Sequence, residues 1–172
     1  MDKKNEYGQS LFEILFALAI MAMIGVAVVS LSVSAVRNNI YANNKTLANK
    51  YNLEGQEWLR RLRDDSFSDL WDHAKPLSVT KTYCLSTLDY PPGNWWNQSD
   101  HDCDSQNVDD VIPGTQFTRH LDLKKINLTD AFHNGDENES IKAVFVVEWT
   151  DGQGDHDSTT ETFLTDWKSQ NW

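Results

Sequence analysis

No proline occurs before Pro76, and no charged residue occurs from Ile14 to Val36, a run of 23 residues. The first absence leaves nothing to break a helix across the N-terminal part of the chain. The second excludes an ordinary water-facing helix. At about 1.5 Å per residue such a run measures roughly 35 Å, enough to cross roughly 30 Å of bilayer hydrocarbon with some tilt. Catalytic signatures are also missing: there is no Gly-x-Ser-x-Gly, no His-Glu-x-x-His and no phosphate-binding loop, and none of the five histidines belongs to a nucleophile motif. Enzymatic activity is therefore not expected. The sequence contains neither internal repeats nor low-complexity tracts.

Basic residues are scarce, 15 against 26 acidic ones, for a net charge of −11. The imbalance is uneven. Residues 64–172 hold 21 Asp and Glu against 7 Lys and Arg, whereas residues 37–63 hold 6 basic residues against 2 acidic ones. A basic stalk thus carries an acidic head, and the head repels nucleic acid and anionic membrane, so no direct nucleic-acid binding is expected. Arg60-Arg61-x-Arg63 is the one basic cluster. It suits nucleic acid less well than the acidic residues of the head or of a neighbouring chain.

The N-terminal order is informative. A polar leader, Met1 to Tyr7, ends in Gly8, and Gln9, Ser10, Leu11, Phe12 and Glu13 come next before the uncharged run. A secretory signal places its small cleavage-site residues after the apolar stretch; here the small residue precedes it. The arrangement resembles the prepilin-type N-terminal cleavage and methylation family of type IV pilin-like proteins. The resemblance makes Gly8 the last leader residue and Gln9 the first mature one, where the family commonly has Phe. It also makes Glu13 the acidic residue used in assembly, with Leu11 and Ile14 at apolar motif positions.

That resemblance implies cutting by a prepilin peptidase, insertion in the membrane, and packing against other pilin-like subunits through the N-terminal helix. Three roles fit: a pilus-type filament subunit, a pseudopilin of a type II secretion system, or a minor pilin whose head binds an external ligand. Lys3 and Lys4 before the span favour a cytoplasmic leader and an exported head. The chain then divides into a leader (1–8), a transmembrane and filament-core helix (9–36), an amphipathic helix with linker (37–75) and a head (76–172). Export places Cys84 and Cys103 in a compartment that permits a disulfide, and a Cys84–Cys103 bridge closing the long acidic loop is expected, whereas a cytosolic head would carry free thiols.

Periodicity supplies the rest of an α+β fold. Ile40, Leu47, Tyr51, Trp58 and Leu62, widened by Ala48, Gly55 and Leu59, make one stripe of a helix, so a single helix is expected over about Ser10–Arg63. Gly25 and Gly55 are its expected soft points. Asp65 or Ser66 caps a short second helix. Strands are expected at Leu77–Leu85, at Phe117–Leu123, centrally at Ile141–Trp149 and at Thr159–Trp167, giving a roughly four-stranded antiparallel sheet. Asn134-Gly135-Asp136 and the Gly152 to Gly154 segment read as turns. Trp58, Trp149 and Trp167 fit a core; Trp95, Trp96 and Trp172 fit either an exposed patch or the lid of a small core.

Metal candidates are weak. Asp100, Asp102 and Asp104 alternate like the first ligands of a calcium loop, but position six lacks Gly and Val111 stands where the twelfth-position Glu belongs. A looser calcium site at Asp151, Asp155 and Asp157, or at Asp102 and Asp104, is the remaining candidate; otherwise no cofactor is expected.

Overall fold

A computed structural model describes residues 7–76, 82–88, 103, 110–128 and 138–166. Helix α1 (Tyr7–Asp65) runs for 59 residues without interruption, as the absence of proline dictates. The chain separates into two compact units, up to Ala42 and from Asn43 onward. The division falls inside α1, so the amphipathic half of the helix belongs with the head rather than forming a segment of its own.

In the second unit α1 is followed by α2 (Phe67–His73), whose N-cap is Ser66: its hydroxyl accepts from the Asp69 backbone N–H. Five strands follow, β1 (Lys75–Pro76), β2 (Thr82–Cys84), β3 (Thr118–Leu128), β4 (Asn138–Asp151) and β5 (Gly154–Thr165). The long strands β3, β4 and β5 form an antiparallel meander with β4 in the middle. The two short strands share the free edge of β3, β2 antiparallel and β1 parallel. Of the strand expected over Leu77–Leu85 only β2 lies within its bounds, and the short parallel strand β1 precedes it; residues 77–81 lie outside the described residues, as do Asn134-Gly135-Asp136, Trp95, Trp96, Trp167 and Trp172.

Register fixes the two faces of the sheet. Leu121 pairs with Phe145, Leu123 with Ala143, and Ile141 with Leu164, and all six are buried. This face packs on Trp58, Leu59 and Leu62 of α1 and on Phe67 and Leu70 of α2. A second cluster joins Ala48 to Ile112, Phe117, Val147 and Trp149. Each large apolar side chain so buried contributes about 1.5–3 kcal/mol. The opposite face carries Val144 and Val146, which are only half-buried, and Phe163, which is exposed.

The buried line of α1 differs from the expected apolar stripe in three ways. Ile40 is half exposed, and the line starts at Asn44. It includes Asn52 and Gln56. At Asn52 the strand opposite is polar: Asn52 Nδ2 donates to the Ser158 carbonyl at 2.8 Å, and the Ser158 hydroxyl donates to Asn49 Oδ1 at 2.6 Å. Gly55 is not a soft point. A Cβ there would lie 2.6 Å from Phe145 Cε1, so the glycine is what lets the helix approach the sheet.

Arg119, on the core face of β3, is the one fully buried cation among the described residues. Its guanidinium donates from Nε to the Leu85 carbonyl and from Nη1 to the Tyr51 carbonyl, tying the segment after β2 and helix α1 to the sheet. Burial pulls its pKa down to about 10, against the opposing pull of Glu54, so it stays protonated at neutral pH.

Candidate functional site

The N-terminal unit presents one chemical surface. Every residue from Leu11 to Val36 is exposed, and the large apolar side chains among them are 44–73% accessible. Leaving such a surface in water forfeits about 1.5–3 kcal/mol for each large side chain. It is one helix long and apolar enough to cross a membrane, near the N-terminus. The polar groups within it are served by the helix itself: backbone bonds run i to i−4, and the Ser32 hydroxyl donates to the Val28 carbonyl at 2.9 Å. Glu13 is the only charge from Leu11 to Val36 and sits near the start of the run. Gly8 and Gln9 lie in the first turn of α1, where backbone N–H groups have no intrahelical acceptor.

In the second unit Cys84 and Cys103 are joined by a disulfide with a Cα separation of 5.3 Å, and the Cys103 N–H donates to the Thr82 carbonyl. Cys84 is the register partner of His120 on β3. His120 Nε2 lies 3.1 Å from Asp110 Oδ2, and Nδ1 lies 3.9 Å from Glu148 Oε2. Beside them, near the β4–β5 turn, is an open acidic depression of about 560 Å³ whose lining includes Asp110, Glu148, Asp155 and Asp157.

The calcium candidates do not converge. Asp151 lies on the helix-facing side of the sheet with Trp149 and His156, whereas Asp155 and Asp157 lie on the other side, a consequence of the two-residue period of a strand. Each is also occupied locally. Asp151 Oδ1 accepts from the Gln153 N–H at 2.8 Å and contacts His156 Nε2 at 3.0 Å. The first of these contacts, with help from His156, holds the Asp151 carboxyl below the usual aspartate range. Asp155 accepts from the Thr150 hydroxyl, and Asp157 from the Thr159 hydroxyl. Asp102 and Asp104 lie outside the described residues.

Nor does the basic cluster form a free cationic patch. Arg60 pairs with Glu57 and Arg63 with Asp64, each within the helix's own turns, leaving Arg61 exposed between them. The grouping of Asp110, His120 and Cys84 was not legible beforehand, because it depends on the β2–β3 register. His120 alternating with Leu121 in a strand pattern was its only signal. Compared with models of known protein families, with curated proteins and with solved structures, the chain matches none.

Proposed function

We propose that this chain is a non-enzymatic, type IV pilin-like structural subunit, anchored in a membrane by α1 and assembled into a filament through the same helix. The observation that carries this reading is the fully exposed, uncharged surface from Ile14 to Val36, preceded by Glu13 and by the Gly8–Gln9 junction. A mere anchor has no use for a carboxylate at that position. In an assembly, cutting after Gly8 frees the Gln9 α-amino group, and a neighbouring Glu13 neutralises it inside an apolar filament core. Each charge alone would be costly to bury, and together they satisfy one another. Glycine offers a peptidase no side chain to obstruct it, and the first turn of a helix opens at little cost. Lys3 and Lys4 ahead of the span favour a cytoplasmic leader and an exported acidic head.

Two measurements test the reading. Mass spectrometry of the membrane form is expected to find a mature chain beginning at Gln9; a chain still beginning at Met1 or Asp2 refutes processing. Glu13→Ala is expected to insert in membrane normally and to be absent from sheared filaments. Incorporation at the wild-type level removes Glu13 from assembly.

A further inference from the structure

We propose that, while both cysteines are thiols, Cys84, Cys103 and His120 form a binding site for a thiophilic divalent metal ion, with zinc the best fit and Asp110 positioning the His120 ring. In the bridged form the two Sγ atoms and a ring nitrogen of His120 lie within 4.8 Å of one another, so opening the bridge leaves two thiols beside one imidazole. Their gathering follows from the fold rather than from sequence proximity. Cys84 and His120 are cross-strand partners on β2 and β3, and the Cys103 backbone is hydrogen-bonded to Thr82.

Asp110 lies outside this group of three and acts on it through His120: its Oδ2 is 3.1 Å from His120 Nε2, and the carboxylate holds the imidazole ring in place beside the cysteines. Two thiolates and one imidazole nitrogen leave the fourth position of a tetrahedral ion to water. Cys84 is buried and Cys103 and His120 are half-buried, which limits competing water. Glu148, Asp155 and Asp157 around the adjoining depression raise the local concentration of cations.

The chemistry balances without an external redox partner, because cysteines enter a new chain as thiols. Binding M²⁺ releases one proton from each thiol and forms two metal–thiolate bonds. A sulfur in a disulfide has no thiolate to offer, so metal and disulfide exclude one another. Oxidation of the metal-free dithiol gives the bridged form and releases two electrons and two protons to a disulfide-forming oxidant. In the reverse direction a phosphine with water returns the two thiols and leaves as phosphine oxide. The site thereby competes with closure of the bridge. It requires nothing of filament assembly.

The test uses the full chain in detergent micelles, reduced with a phosphine and titrated with Co²⁺. One Co²⁺ per chain is expected, with thiolate-to-cobalt charge-transfer absorption and the intense visible bands of a four-coordinate ion, displaced by Zn²⁺. The oxidised chain is expected to give neither. His120→Gln and Asp110→Asn, both on partly exposed residues, are expected to weaken binding at least about tenfold. Metal bound before oxidant is added is expected to slow formation of the bridge. The proposal is overturned if the reduced chain gives no thiolate–cobalt absorption, including the case in which reduction abolishes its β-sheet circular dichroism. It is equally overturned if His120→Gln binds cobalt as the wild type does, which would mean two thiols acting without the site.

Discussion

Gly55→Ala adds one methyl group and separates two opposing effects. In a helix interior alanine is better than glycine by about 1 kcal/mol, so propensity alone predicts stabilisation. The new Cβ, however, would sit 2.6 and 2.7 Å from two ring carbons of Phe145, where carbon atoms prefer about 3.5–4.0 Å. The helix or the ring must retreat by roughly 1 Å on that contact distance. Phe145 is fully buried and paired across the sheet with Leu121 and Thr160, so a shift of its ring disturbs both neighbouring strands. Overpacking of this kind costs typically 1–3 kcal/mol. Set against the propensity gain, the expected result is a net loss of about 1 kcal/mol, up to about 2. Thermal unfolding of the head, followed by near-ultraviolet circular dichroism of its buried tryptophans, should fall by roughly 3–10 °C. Gly25→Ala is the matched control: no atom lies within 4 Å of its Cβ, so the head transition should not move. An unchanged or raised transition in Gly55→Ala would refute the close approach of helix and sheet at this point.

Two further outcomes follow from the head. Because the Asp151 carboxyl is held below its ordinary value by the Gln153 N–H and His156, its contribution is present above the ordinary aspartate range and is lost as pH falls through the depressed value; Asp151→Asn should flatten the acid limb of a pH–stability curve, and an unaltered limb would contradict this. Opening the Cys84–Cys103 bridge, which spans a sequence separation of 19, should cost about 3 kcal/mol on the chain-entropy account, measured by denaturant unfolding with and without reductant in metal-free buffer; thiol labelling of the denatured, unreduced chain should find no free thiol.

The elements that were legible in the sequence are those whose signal is local. An uncharged run, a missing proline and a repeating apolar spacing specify α1 without reference to anything else, and Ser66 caps α2 by a rule that spans three residues. Alternation in β3, β-branched and aromatic residues in β5 and an apolar centre in β4 identify the strands but not their ends. Those were underestimated because cross-strand hydrogen bonds extend pairing into polar stretches such as Gly154–Ser158 and Lys124–Leu128. Asn52 and Gln56 show the limit of pattern reading. A polar residue on a helix face reads as solvent-facing until the strand opposite is known to offer Ser158. Gly55 was misread for the same reason, since its value lies in the ring it accommodates rather than in its own flexibility.

The two candidate sites differ in the same respect. The N-terminal helix carries its signal in consecutive residues: apolar surface, one carboxylate and a small residue, arranged along a line that needs no tertiary context to be recognised. The head carries chemistry across strands. Asp151, Asp155 and Asp157 look like a ligand set on paper because they are close in sequence, yet a tight hairpin sends Asp151 to one face and the other two to the opposite face. Cys84, His120 and Asp110 are far apart in sequence, yet register and a short loop bring them together. Proximity in sequence therefore overstates a side-chain cluster on a hairpin and hides one across a sheet. In this chain the apolar N-terminal surface can be read from one segment, while the grouping in the head emerges only once the strands are paired.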